Sequence, residues 1–426
     1  MSFNFQSTFE KLFGFFVAIA IVFFSVNHRW SMAAALIAML AGFFAVLLTT
    51  NHITMVQKSL LKISYLVIFC FLGLIVFFLW YHGSKIRYFD NYSRLLILAP
   101  LIYFIVRLHV SNKVFKVAIA IAGLIIFFQA ITYSDDWGGR ASLVYENALS
   151  MSNVAGEFLA IVAAFYLFGE SRSKANLLAW GGLGVLLFLT ILMTGTKGVW
   201  LTTATIMILV FLKLNSAVKR SGFIALLILS TITLNLATNN MPLKRIDSAI
   251  DGFSCVLFED DKFKCQDGSV AVRAWLLIFA VDRFKESPLL GHGAHSYTIE
   301  FEKAAVQGEI PSQFAHLDNP HNDFSKFLYD FGLIGLCALL AIFGVCFWIA
   351  KQVISYSKPG LSVWAYATVL HATFAIELGL TQSNFSVASQ SYHFAFFTCF
   401  LLGLAIKSIS CVSPGETSNV RKSHLN

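Results

Sequence analysis

The sequence predicts an all-α integral membrane protein of about twelve transmembrane helices, with one long polar loop between the ninth and tenth. Three observations carry this. Hydrophobic residues make up 57% of the 426 and charged residues only 13%, about half the charge of a soluble domain, and mean hydropathy is +0.72. Apolar runs of membrane-spanning length recur along the chain. One stretch, 239–322, is too polar to span and too long for an idle connection. The 43 phenylalanines suit lipid-facing helix surfaces. The net charge of +8 does not imply nucleic acid, because membrane proteins collect Lys and Arg on cytoplasmic loops. No glycine-rich linker, low-complexity tract or internal repeat is evident.

The expected spans lie near 10–26, 33–50, 63–82, 95–107, 114–132, 153–169, 177–194, 199–214, 223–238, 323–350, 361–380 and 392–408. The first follows Lys11 and has no small-residue cleavage site after it, so it reads as an anchor rather than a removable signal peptide. The expected organisation is nine helices over 1–238, a loop over 239–322, three helices over 323–410 and a tail over 411–426.

Basic residues orient these elements. With the first end cytoplasmic, the inside loops hold Lys58, Lys62, Arg107, Lys113, Lys116, Arg172, Lys174, Lys213, Lys219, Arg220, Lys351 and Lys358. The tail adds Lys407, Arg421 and Lys422, whereas the short outside loops hold fewer: Arg29, Lys85, Arg87, Arg94, Arg140 and Lys197. This asymmetry puts both termini and the tail in the cytoplasm and the 239–322 loop on the outer face.

Five of the seven cysteines sit in or beside spans, while Cys255 and Cys265 share the outer loop. In an oxidising compartment such as a bacterial periplasm these two form either a small disulfide loop or two unpaired thiols.

Ionisable residues within lipid are costly and are functional candidates. In this topology they gather toward the outer ends of the spans. Asn153 and Glu157 start the sixth span, Arg140 precedes it, and Lys197 lies in the tight turn TGTKGVW. Glu377 ends the eleventh, Gln382 and Asn384 follow, and His393 opens the twelfth. Such a rim suits a lipid-anchored substrate with its polar head outside; the bland alternative is ordinary interfacial residues. The most distinctive segment is HLDNPHNDFSKFLYDFGLIGL, from His316 to Leu336. Pro320 precedes a helix start, Asp323 suits its dipole, and His321 and Asn322 sit at the water–lipid boundary. A neutral imidazole there can accept a hydroxyl proton, or it can simply anchor the helix end.

His321-Asn322, nine residues, Gly332, two residues and Gly335 resemble the signature of bacterial O-antigen ligases. That signature is His, then Asn, Ser or Gln, nine residues, Gly, two residues, and Gly, Thr or Tyr. These ligases share a superfamily with O-antigen polymerases and protein O-oligosaccharyltransferases. Two further segments are similar. AVRAWLLIFAVDRFKESPLLGHGAHSY supplies Arg273, Trp275, Pro288, Gly291 and Gly293. TGTKGVW resembles the family's outer turn, with Lys197 where arginine is usual; lysine keeps the charge but loses bidentate phosphate geometry.

The resemblance implies a reaction. The expected donor is O-antigen on undecaprenyl diphosphate, and the expected acceptor is a sugar hydroxyl of lipid A–core. The place is the bacterial inner membrane, with the active site facing the periplasm. Arg273 and Lys197 would meet the departing diphosphate, and His321 would be the base. Displacement would invert the anomeric centre. No cofactor or metal is expected, since neither His292 and His295 nor His316, Asp318 and His321 match a common zinc spacing. No nucleic-acid partner is expected, and the other contacts are membrane lipids. An O-antigen polymerase or protein O-oligosaccharyltransferase is the nearest alternative. A transporter or flippase is the alternative of another class, disfavoured by the lack of paired repeats.

Overall fold

A computed structural model describes residues 5–133, 142, 147–169, 173–214, 216–237, 241–258, 269–310, 317, 319–357 and 362–409. Among these the chain is helical, with no strand. The helices are α1 (Phe5–Phe24), α2 (His28–Leu48), α3 (Met55–Tyr81), α4 (Asp90–Arg107), α5 (Asn112–Thr132), α6 (Ala148–Phe168), α7 (Lys174–Thr194) and α8 (Trp200–Lys213). They continue with α9 (Ala217–Ala237), α10 (Met241–Phe258), α11 (Ser269–Phe284), α12 (Ser296–Val306), α13 (Asp323–Tyr356), α14 (Val363–Gly379) and α15 (Ala388–Ser408). Local sequence sets many of the ends. Ser111, Asn147 and Ser173 cap α5, α6 and α7 with side-chain oxygens, and Thr54 with Gln57 forms a capping box on α3.

Nine helices among the described residues are long and apolar enough to cross a membrane: α1–α7, α13 and α15, with α4 counted together with the short 3-10 turn before it. The chain is therefore a multi-pass membrane protein, and the expected count of twelve is not confirmed among the described residues. The remaining three expected spans fall on α8, α9 and α14, and α8 and α14 run only 14 and 17 residues. α8 and α14 are each bounded by a turn at the same end of the bundle. α8 starts only after the Lys197 turn, and α14 stops at Gly379 so that the chain can fold back onto α13. α6 and α15 are buried over 83% and 94% of their apolar stretch, against 39% or less for α1, α2, α3, α5 and α7. The first pair therefore forms the centre of the bundle and the others its lipid-facing shell. Phenylalanine fills that centre: Phe396 and Phe397 of α15 pack on Phe24, and Phe397 meets Phe158 edge-on.

The ends of α3, α7 and α14 meet the starts of α4, α6, α8, α13 and α15 at one end of the bundle. Hydrogen bonds tie them: His82 to the Leu290 carbonyl, Asn91 to Phe385, Asn153 to Gln382, Thr381 to Gly198 and Asn384 to Asp323. The opposite end is basic. Lys407 donates to the Leu108 and Val110 carbonyls at 2.8 and 3.0 Å, and Arg107 to that of Thr49.

The 239–322 stretch, expected as a loop, carries three helices of its own. Leu276, Phe279 and Ala280 of α11 pack with Tyr297, Phe301 and Ala304 of α12 and with Tyr329 of α13 as a small second core. That core lies on the site-bearing end and joins α11 to α13.

Candidate functional site

The site is built around a break in α13. Gly332 has φ 64° and ψ −163°, which no helix accommodates. A break within a span leaves backbone groups without helical partners, and in an apolar setting these must be satisfied. The Pro288–Gly293 segment supplies the partners. Leu333 N–H donates to the Pro288 carbonyl (2.8 Å), while His292 and Gly293 N–H donate to the Tyr329 and Asp330 carbonyls (both 2.8 Å). The two backbones touch. A Cβ on Gly332 would lie 2.3 Å from Leu289 backbone atoms, and one on Gly291 (φ 70°) would lie 2.5 Å from Asp330 and Phe331 backbone atoms. The glycines of two separate sequence motifs thus face each other across one seam. Neither side can carry a side chain without opening it.

The first arm of α13 begins at His321 and Asn322. Asn322 is the N-cap, its side chain accepting from Ser325 N–H (2.9 Å). Its Nδ2 donates to the Leu380 carbonyl at 2.9 Å. Asp323 is fully buried and accepts four bonds from the chain after α14. These come from Ser383 Oγ (2.9 Å), Asn384 N–H (3.0 Å), Asn384 Nδ2 (2.8 Å) and Phe385 N–H (3.5 Å). A buried carboxylate is tolerated only with such satisfaction. His321 has φ 49°, a strained backbone state for a residue with a side chain. Its N–H donates to Asn319 Oδ1 at 3.0 Å. Such strain costs on the order of 1 kcal/mol or more and gathers at working sites.

The Lys197 turn joins the same hub. α7 ends at Gly195 in the left-handed state (φ 59°), and Lys197–Val199 forms a 3-10 turn. Gly198 packs on Thr381 and Gln382, where a Cβ would lie 2.7 Å from Thr381 Oγ1. Thr381 Oγ1 donates back to the Gly198 carbonyl. Lys197 Nζ donates to Ser248 Oγ of α10 at 3.1 Å. Asn153, at the start of α6, donates to Gln382 Oε1 at 3.3 Å. The turn from Leu380 to Phe385 is therefore the hub on which Lys197, Asn153 and the start of α13 converge.

Arg273 stands on α11, next to Val272, which packs against the second core with Leu317. Among the described residues no hydrogen bond or ion pair engages its guanidinium. Burial alone pulls its pKa below the ordinary arginine value. A desolvated cation without a partner anion is a standing electrostatic cost, which a bound anion would relieve.

Other residues singled out in the sequence fall elsewhere. Glu157 is not on the rim: it lies midway along α6, 1% exposed, with His371 Nδ1 at 2.8–2.9 Å from both its oxygens. His371 Nε2 in turn meets Thr398 Oγ1 at 2.9 Å. His371 did not stand out in the sequence, although an ionisable residue in mid-span is itself a signal. Asp323 stood out there only as a dipole partner, whereas in the fold it is an anchor. Glu377 remains near the hub end and accepts from Thr205 Oγ1 at 2.6 Å. His393 is buried edge-on against Phe24 and Phe397. Cys255 is disulfide-bonded; Cys265 and Arg140 lie outside the described residues. Among the described residues no three His, Cys, Asp or Glu side chains gather as a metal site, and His316 and Asp318 lie outside them.

Residues 182–340 match the protein family described as O-Antigen ligase. That stretch contains the Lys197 turn, Arg273, both sides of the glycine seam and His321-Asn322. The chain is also 22% identical over 262 residues to a Haemophilus influenzae protein described as uncharacterized. That alignment takes in 60% of this chain and 64% of the relative, less than two thirds of the relative's length.

Proposed function

We propose that this chain is a member of the O-antigen ligase superfamily, which the match over residues 182–340 supports, and that it transfers O-antigen from undecaprenyl diphosphate to lipid A–core. The observation that carries this reading is the convergence of three motif segments at one end of the bundle. The 288–293 segment is bonded into the break of α13, the start of α13 is bonded to the 380–385 turn, and the Lys197 turn packs on that same turn. Residues distant in sequence thereby share one polar hub.

In this reading an acceptor hydroxyl oxygen attacks the anomeric carbon of the donor sugar. The bond from that carbon to the diphosphate oxygen breaks, and its electron pair leaves with the diphosphate. The hydroxyl proton passes to His321. Arg273 and Lys197 meet the charge developing on the diphosphate. Diphosphate leaves without an acid, so one base and two cations suffice, and a single displacement inverts the anomeric centre. Asn322 and Asp323 hold the backbone of His321 rather than touch substrate. The basic end of the bundle faces the cytoplasm and the hub faces the periplasm of the inner membrane, following the distribution of Lys and Arg. Cys255 pairs with Cys265 on that oxidising side.

Deletion of the gene, followed by electrophoresis of lipopolysaccharide, tests the reading. Loss of a ligase leaves lipid A–core without polymer while undecaprenyl-linked O-antigen accumulates. Lipid A–core bearing single repeats would instead assign polymerisation, and unchanged lipopolysaccharide would reject both.

A further inference from the structure

A cleft of about 210 Å³ opens at the hub end, between the start of α4 and the residues that precede α12. Tyr88, Asp90, Asn91, His295, Asn319 and Lys326 are among its walls. It is smaller than the ~300–1,000 Å³ of pockets that take drug-sized ligands, and it suits one sugar ring. Its chemistry suits one as well. The Tyr88 and His295 rings stack on each other at 4.8 Å and 26°, and the Arg87 guanidinium lies over the Tyr88 ring at 5.1 Å, so Tyr88 backs His295, whose outer face is the aromatic surface offered to the C–H face of a pyranose. Asp90 and Lys326 supply acceptor and donor capacity for hydroxyls. Asp90 gives one oxygen to Arg94, and Lys326 spends one of its three donors on Asp330.

Backbone strain marks the same place. Among the described residues the non-glycine positions with positive φ are His295 (74°) and His321 (49°). One presents its ring to the cleft wall. The other is hydrogen-bonded to Asn319, which lines the cleft, through its own N–H. Two strained residues flanking one cleft point to a function that holds them there.

Position then separates the substrates. The Lys197 turn packs on Thr381 and Gln382, while the cleft lies beside Phe385 and Ser386. The two regions therefore adjoin different stretches of the chain between α14 and α15. The cleft carries Arg87, Lys326 and Asp90, with Asp90 paired to Arg94 and Lys326 to the buried Asp330, so it is the place of the cleft beside Asn319 and His321, the base for the acceptor hydroxyl, that assigns it to the acceptor.

We infer that this cleft seats the pyranose of the acceptor that carries the attacking hydroxyl, with His295, backed by Tyr88, as its stacking platform. The assignment rests on the ligase reading above. The test is steady-state ligation by the purified full chain, with lipid A–core and lipid-linked O-antigen varied in turn. Tyr88→Ala should raise the acceptor KM by about tenfold, the size of one aromatic contact, and leave the donor KM unchanged. Tyr88→Phe, which keeps the ring, should lose less. His295→Asn removes the stacking ring itself while keeping a residue that tolerates positive φ, and should lose at least as much as Tyr88→Ala. Unchanged acceptor KM in both folded variants, or a rise in donor KM instead, overturns the cleft assignment alone. No ligation by the parent chain would overturn the ligase reading and this assignment with it.

Discussion

Replacing His321 with alanine should cut ligation by about a hundred- to ten-thousand-fold, the usual contribution of a positioned general base. The rival account makes His321 an anchor for the start of α13. The geometry assigns that work to its neighbours: Asn322 caps the helix and Asp323 takes four bonds from the 383–385 segment. The fair control is His321→Asn. Asparagine tolerates the left-handed backbone that His321 holds at φ 49°, so it tests the ring rather than the fold. The expected result is a well-expressed, donor-binding and inactive protein. Near-normal turnover of His321→Asn would remove His321 as the base. In the parent chain, activity should rise with pH through a single ionisation, because only the neutral ring accepts a proton.

Loss of Arg273 should be nearly as damaging to activity and should have the opposite sign for stability. The guanidinium is half-buried and engages no hydrogen bond or ion pair among the described residues. Burial lowers its pKa. A base whose pKa falls on folding destabilises the fold wherever it stays protonated, and for arginine that is the whole working pH range. Arg273→Ala should therefore abolish or severely reduce ligation while leaving thermal stability equal or higher. Arg273→Lys should stay impaired, because an ammonium cannot fork two phosphate oxygens. Lys197→Arg should be tolerated. A thermal midpoint lowered by several degrees in Arg273→Ala, with activity retained, would reassign it to the structure.

The membrane class and most spans were legible in the sequence because apolar runs of fixed length report on lipid directly. The glycine seam was half legible. Gly291, Gly332 and Gly335 stood out as a pattern, but the pattern does not say that Gly291 and Gly332 touch, since their contact joins segments about forty residues apart. α8 and α14 lie close to the expected 199–214 and 361–380, but their apolar runs do not say that the turn after α14 satisfies Asp323. Glu157 was misplaced because its position was taken from an expected span of 153–169. α6 in fact begins at Ala148, which moves Glu157 to mid-helix. His371 then explains how a carboxylate is tolerated there, a pairing that spans 214 residues and leaves no local trace.

One reaction in a defined system tests the assigned chemistry most directly. The purified chain in liposomes would be given undecaprenyl-diphosphate-linked O-antigen and lipid A–core, with product and released undecaprenyl diphosphate measured together. The expected result is one undecaprenyl diphosphate released for each polymer joined to lipid A–core, with the new glycosidic bond inverted relative to the donor and the rate lost in His321→Asn. Retention of the anomeric configuration, or product formed at the parent rate without His321, would contradict it.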